Sequence, residues 1–71
     1  MRLLDSSGNE INIAGSLRTI VMDHEEAQMY ATAFLQSLKE LIPVGKRERL
    51  EGTNYEFQRI AEDDFRVYEV Q

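Results

Sequence analysis

One stretch constrains everything around it. From Asp23 to Ile42, the residues Ala27, Tyr30, Ala31, Phe34, Leu38, Leu41 and Ile42 recur at intervals of three and four, whereas Glu25, Gln28, Thr32, Gln36, Lys39 and Glu40 fall largely opposite. That spacing predicts an amphipathic helix with one stripe to bury. Asp23 precedes Glu26 by three residues, the spacing at which a capping side chain and a returning carboxylate satisfy the first free amides. Glu25 and Glu26 also lie where the helix dipole favours negative charge. Pro43 ends the pattern, and Gly45 supplies a turn residue just beyond. Met29, Ala33 and Leu35 widen the apolar zone at its flanks, so the helix is expected to lie flat on a sheet.

The rest of the chain reads as strands. Arg2–Leu4 is a short apolar start, Asp5-Ser6-Ser7-Gly8-Asn9 is a cluster of turn formers, and Glu10–Ala14 alternates with Ile11 and Ile13 on one face. Together they predict an N-terminal hairpin. Leu17–Met22 is rich in β-branched residues and is assigned as a third strand. Residues 44–54 are polar, contain two glycines and are expected to form a loop, with one helical turn at Lys46–Leu50. The last segment predicts a second hairpin, Tyr55–Ile60 with Phe65–Val70, through Ala61-Glu62-Asp63-Asp64. An even turn puts Tyr55, Phe57, Tyr68 and Val70 under the helix and makes Arg59 and Arg66 cross-strand neighbours. An odd turn groups Phe65 and Val67 with Tyr55 and Phe57 instead. The expected fold is therefore α+β: a single domain, residues 1–71, with a small antiparallel sheet in the order ββ(β)αββ and one long helix on one face.

One helix covers only one face of such a sheet. With either turn apolar residues remain on the bare face, the candidates being Leu3, Ile20, Met22, Ile60, Phe65 and Val67. Clustered apolar residues on a small protein mark an association surface, so Ile20, Met22, Ile60, Phe65 and Val67 are the candidate partner-binding residues.

Composition narrows the chemistry. A domain of 71 residues buries only about 60% of the surface its unfolded chain exposes, and chains this small are commonly reinforced by disulfides, a metal or a second subunit. With no cysteine, disulfides and thiolate metal sites are excluded, a reducing compartment is favoured and the cytoplasm is the expected location. The first residues lack a signal-peptide pattern, and no run approaches the roughly 18 apolar residues of a membrane span. Thirteen acidic against eight basic residues give a net charge of −5, which opposes nucleic acid and favours a basic partner or none.

No catalytic motif emerges. His24 is the only histidine, and His24-Glu25-Glu26-Ala27-Gln28 lacks the second histidine of a zinc-protease helix. Asp5, Gly8 and Glu10 fail the spacing of a calcium loop, and Glu62-Asp63-Asp64 reads as a solvated acidic turn. Gly15-Ser16-Leu17 is not a nucleophile elbow, and Gly45-Lys46-Arg47 is not a phosphate loop. No catalytic residue, metal or cofactor is expected, and no stretch is specific enough to name a family. The expectation is a non-enzymatic, acidic protein–protein interaction module, such as an inhibitor or adaptor of the kind carried by phages and plasmids. It would act through the uncovered sheet face, the acidic helix flank, or a homo-oligomer built on the same sheet face. The alternative is nucleic-acid binding through Lys46, Arg47 and Arg49, with Tyr55 and Phe57 close by to stack bases.

Overall fold

The computed structural model describes residues 1–18 and 23–70. Its elements are β1 (Arg2–Leu4), α1 (Ile13–Arg18), α2 (His24–Leu41), β2 (Arg47–Arg49), β3 (Tyr55–Ala61) and β4 (Asp64–Glu69). Asp23 caps α2: its side chain accepts from the Glu26 amide at 2.8 Å. At the other end Ile42 donates its amide to the Leu38 carbonyl, and Gly45, at a φ of +84°, turns the chain so that its amide reaches the Arg59 carbonyl.

The fold is α+β, with one mixed four-stranded sheet in the order β1-β4-β3-β2 and α2 packed on one face. β4 pairs antiparallel with β3 and β3 with β2, while β1 runs parallel to β4. That parallel pair is available because α2 lies between β1 and the C-terminal strands and carries the chain across the sheet.

The N-terminal hairpin shrinks to one bridge, Leu4 to Glu10, plus the Ile11 amide on the Leu3 carbonyl. Asn12 then accepts from the Gly15 amide and starts α1, so Ile13 and Ala14 are helical where a strand was expected. Of the expected third strand, Leu17 and Arg18 belong to α1 and residues 19–22 lie outside the described residues. Residues 47–49 form edge strand β2 in place of a loop or helical turn.

The C-terminal hairpin follows the odd-turn arrangement. Ala61 faces Asp64, but a bulge at Ile60 shifts the register so that Arg59 faces Phe65 and Phe57 faces Val67. One inserted residue reverses which side chains share a face. Phe65 and Val67 therefore join Phe57 and Leu3 beneath α2, Tyr68 moves to the outer face, and Arg59 and Arg66 are not neighbours.

The core is Leu3, Leu35, Leu38, Ile42, Phe57 and Phe65, with Ala14, Ala27 and Ala31 forming a smaller cluster between the two helices. Phe34 meets Phe57 edge to face at 5.7 Å. The buried stripe of α2 is thus rotated from the expected one: Leu35 is inside, whereas Tyr30 and Leu41 are 58% and 64% exposed.

Candidate binding surfaces

The sheet face opposite α2 is polar apart from Leu4, which is buried. Adjacent registers set three rows across it: Asp64 beside Arg2; Arg47, Gln58, Arg66 and Leu4; and Arg49, Glu56 and Tyr68. Alternation along each strand puts these side chains outward because their neighbours Leu3, Phe57, Phe65 and Val67 point at α2. Arg47 lies 3.8 Å over the Tyr68 ring and donates to Glu56 at 3.0 Å, and the Tyr68 hydroxyl donates to Gln58 at 2.9 Å. Arg2 forms a two-pronged pair with Asp64 at 2.8 and 3.1 Å.

This removes Phe65 and Val67 from the expected apolar sheet patch. Phe65 is fully buried in the core and Val67 packs against it; only Ile60, at the bulge, is exposed. Leu3 is likewise core. Ile20 and Met22 lie outside the described residues. The basic segment is also committed in part, since Arg47 holds Glu56 and Tyr68 while Arg49 donates to the Thr53 carbonyl and the Asn54 side chain. Lys46 is exposed and forms no ion pair among the described residues.

The two arginines expected as cross-strand neighbours under the even turn are instead on opposite faces. Arg59 is buried, facing inward from β3; its guanidinium donates to the Lys39, Ile42 and Glu62 carbonyls and pairs with the Glu62 carboxylate at 3.2 Å. It closes the C-terminal end of α2, where free carbonyls gather negative charge. Arg66 lies outward from β4 under the Asp5–Asn9 turn. An atom at the Cβ position of Gly8 would stand 3.7 Å from its Nη2, and its enclosed Nε has no hydrogen-bond partner among the described residues. The sequence signal for both was a cation inside an otherwise alternating strand.

The acidic turn is a junction of ion pairs. Glu62 meets Arg59 and Lys39, Asp63 meets Lys39 at 2.8 Å, and Asp64 meets Arg2. The Lys39 hydrogen bond holds Asp63 below the usual carboxylate range, and the Arg2 hydrogen bond does the same for Asp64; both cations are raised by the same bonds. Asp5 spends its carboxylate on the Ser7 and Asn9 amides of its own turn. Among the described residues, no three histidine or acidic side chains converge on a point where a metal could sit.

A cleft of about 300 Å³ lies between β1, the segment 10–14 and α2. Its polar lining is Arg2, Glu10, Asn12 and Gln28, of which Arg2 is bound to Asp64 and Asn12 caps α1.

The remaining surface is the solvent side of α2. Met29 is 69% exposed there, and Tyr30, Ala33 and Leu41 are exposed as well, interspersed with Glu25, Glu26, Ser37 and Glu40. No helix among the described residues is long and apolar enough to cross a membrane. Comparison of the chain with family models, with curated proteins and with solved structures finds no match in any of the three.

Proposed function

We propose that this chain is a small, acidic, non-enzymatic protein–protein interaction module that binds through the exposed side of α2. The observation that carries the reading is the exposure of Met29, Tyr30 and Leu41 on a helix whose core-facing stripe is already complete in Ala27, Ala31, Leu35, Leu38 and Ile42. These three side chains are left outside the monomer core, and large apolar residues exposed among charged ones on one element are the usual composition of an association surface. Of the two surfaces expected from sequence, this reading takes the acidic helix flank. The carboxylate rim and net charge of −5 favour a partner with basic residues around an apolar centre. The absence of cysteine fits action in the cytoplasm, as an inhibitor or adaptor.

The reading is tested by affinity capture from a nuclease-treated lysate, comparing wild type with Met29→Glu/Leu41→Glu and with Arg47→Glu. Retention of one protein by wild type and Arg47→Glu, and its loss with the α2 variant, is the expected result. Retention that survives the α2 substitutions would discard the helix surface. Retention lost only with Arg47→Glu would turn attention to the outer sheet face.

A further inference from the structure

The outer face of the sheet carries a row of donors with no acid in it. Arg47 on β2, Gln58 on β3 and Arg66 on β4 are direct cross-strand partners, and their side chains share the face turned away from α2. The chain has thirteen acidic side chains, yet none stands in this row between the two cations.

Arg66 is the least provided for. It is half-buried and makes no ion pair or hydrogen bond among the described residues. Asp5, in the turn that covers it, spends its carboxylate on the Ser7 and Asn9 amides. A guanidinium partly withdrawn from water without an acceptor is costly. Of its three nitrogens only Nε is enclosed, so the two Nη groups stay open to a ligand.

Two neighbours complete the arrangement. The Gln58 oxygen accepts from the Tyr68 hydroxyl at 2.9 Å, which fixes the amide and leaves its NH2 as a donor beside Arg66. The Arg47 guanidinium crosses β3 to lie 3.8 Å over the Tyr68 ring. Tyr68 is two residues along β4 from Arg66, about 7 Å of strand. Glu56 is already held by Arg47 Nε, whereas the Arg47 Nη groups have no partner among the described residues.

We infer that this row is a binding site for a small tetrahedral oxyanion, inorganic phosphate or a phosphate monoester, held between Arg66 and Arg47 above the Gln58 amide. Donors from three strands reach the spot from different sides, which suits four tetrahedrally placed oxygens better than the two coplanar oxygens of a carboxylate. The anion gives the Arg66 Nη groups their acceptors and supplies the counter-charge that the row lacks, relieving the repulsion between two neighbouring guanidinium groups. The site lies across the sheet from α2 and stands or falls apart from the reading given for that helix.

The test is titration of the full chain with inorganic phosphate at constant ionic strength, made up with chloride, followed through the arginine Nε–H and glutamine NH2 signals in proton–nitrogen correlation spectra. Saturable shifts of the Arg66 Nε–H and the Gln58 NH2 are expected, with half-saturation at about 1–10 mM. Sulfate should reproduce them, and acetate should act several-fold more weakly. Methyl phosphate separates the two sources: tighter binding than phosphate assigns a monoester, weaker binding the inorganic ion. Arg66→Met, which keeps the apolar stem, should abolish the Gln58 shift and leave the circular dichroism spectrum unchanged. Gln58→Glu sets a carboxylate in the row as an internal counter-ion, and should raise the melting temperature while removing the response to phosphate. Shifts that grow without saturating, an equal response to acetate, or phosphate shifts that persist in Arg66→Met overturn the site. So does a Gln58→Glu variant that still binds phosphate.

Discussion

The two faces of the sheet handle an arginine in opposite ways. On the inner face, Arg59 is buried and all its donors are used, on three backbone carbonyls and the Glu62 carboxylate. On the outer face, Arg66 is half-buried beneath the Gly8 turn, and its Nε has no partner among the described residues. Burial of a charged group is favourable only when its hydrogen-bonding capacity is met. Arg59 is therefore a clamp joining the end of α2 to the β3–β4 turn, whereas Arg66 contributes mainly the packing of its stem. The inner face is a core with one satisfied cation; the outer face is a lattice of exchangeable polar contacts.

Substitutions along these faces should separate the two. Phe65→Ala removes the most enclosed side chain of the inner face and should cost about 3–5 kcal/mol by urea denaturation, enough to unfold much of the population of so small a domain. Arg59→Leu leaves the carbonyls of Lys39, Ile42 and Glu62 without their donor and should cost about 2–4 kcal/mol. If its loss is no greater than that of an outer arginine, the clamp is wrong. Arg47→Ala breaks the stack on Tyr68 and the bond to Glu56 and should cost about 1 kcal/mol. Arg66→Met should be the smallest change, close to neutral or slightly stabilising, because it removes an enclosed donor while keeping the stem. A large loss there would reveal a partner for that guanidinium.

The ion pairs around the β3–β4 turn add a pH dependence. Asp63 and Asp64 ionise at lower pH in the folded chain than in the unfolded one, so their contribution is present above the ordinary carboxylate value and is lost as pH falls through their folded values. Lys39 is raised, so its contribution is complete below its unfolded value and fades as pH rises through the folded one. Thermal melts should therefore show a plateau at neutral pH with a decline in acid, and Lys39→Met should shrink the acid decline.

The helix was legible in the residues themselves. Asp23, Glu26 and Pro43 mark its ends through short-range hydrogen bonding and the missing amide of proline, and its three-and-four spacing requires a buried side. Charge, the lack of cysteine and the α+β class followed equally from local pattern. The stripe was less well placed, because Tyr30, Leu35 and Leu41 are all apolar by type and only the angle at which α2 meets Phe57 and Phe65 decides which are covered. The misplacement of Phe65 and Val67 on the bare face has one physical origin. The bulge at Ile60 slips the β3–β4 register by one residue, and that slip moves Phe65 and Val67 from the bare face into the core and Tyr68 out of it. Nothing in the order of residues between Tyr55 and Val70 signals the slip. It is set by contacts distant along the chain, where Arg59 reaches the carbonyls that end α2 and Leu3 aligns with Phe65 through a parallel strand. The sequence by itself determined the elements whose stabilising contacts lie within a few residues; the tertiary structure alone decided which side of each strand is the inside, because that choice depends on partners tens of residues away.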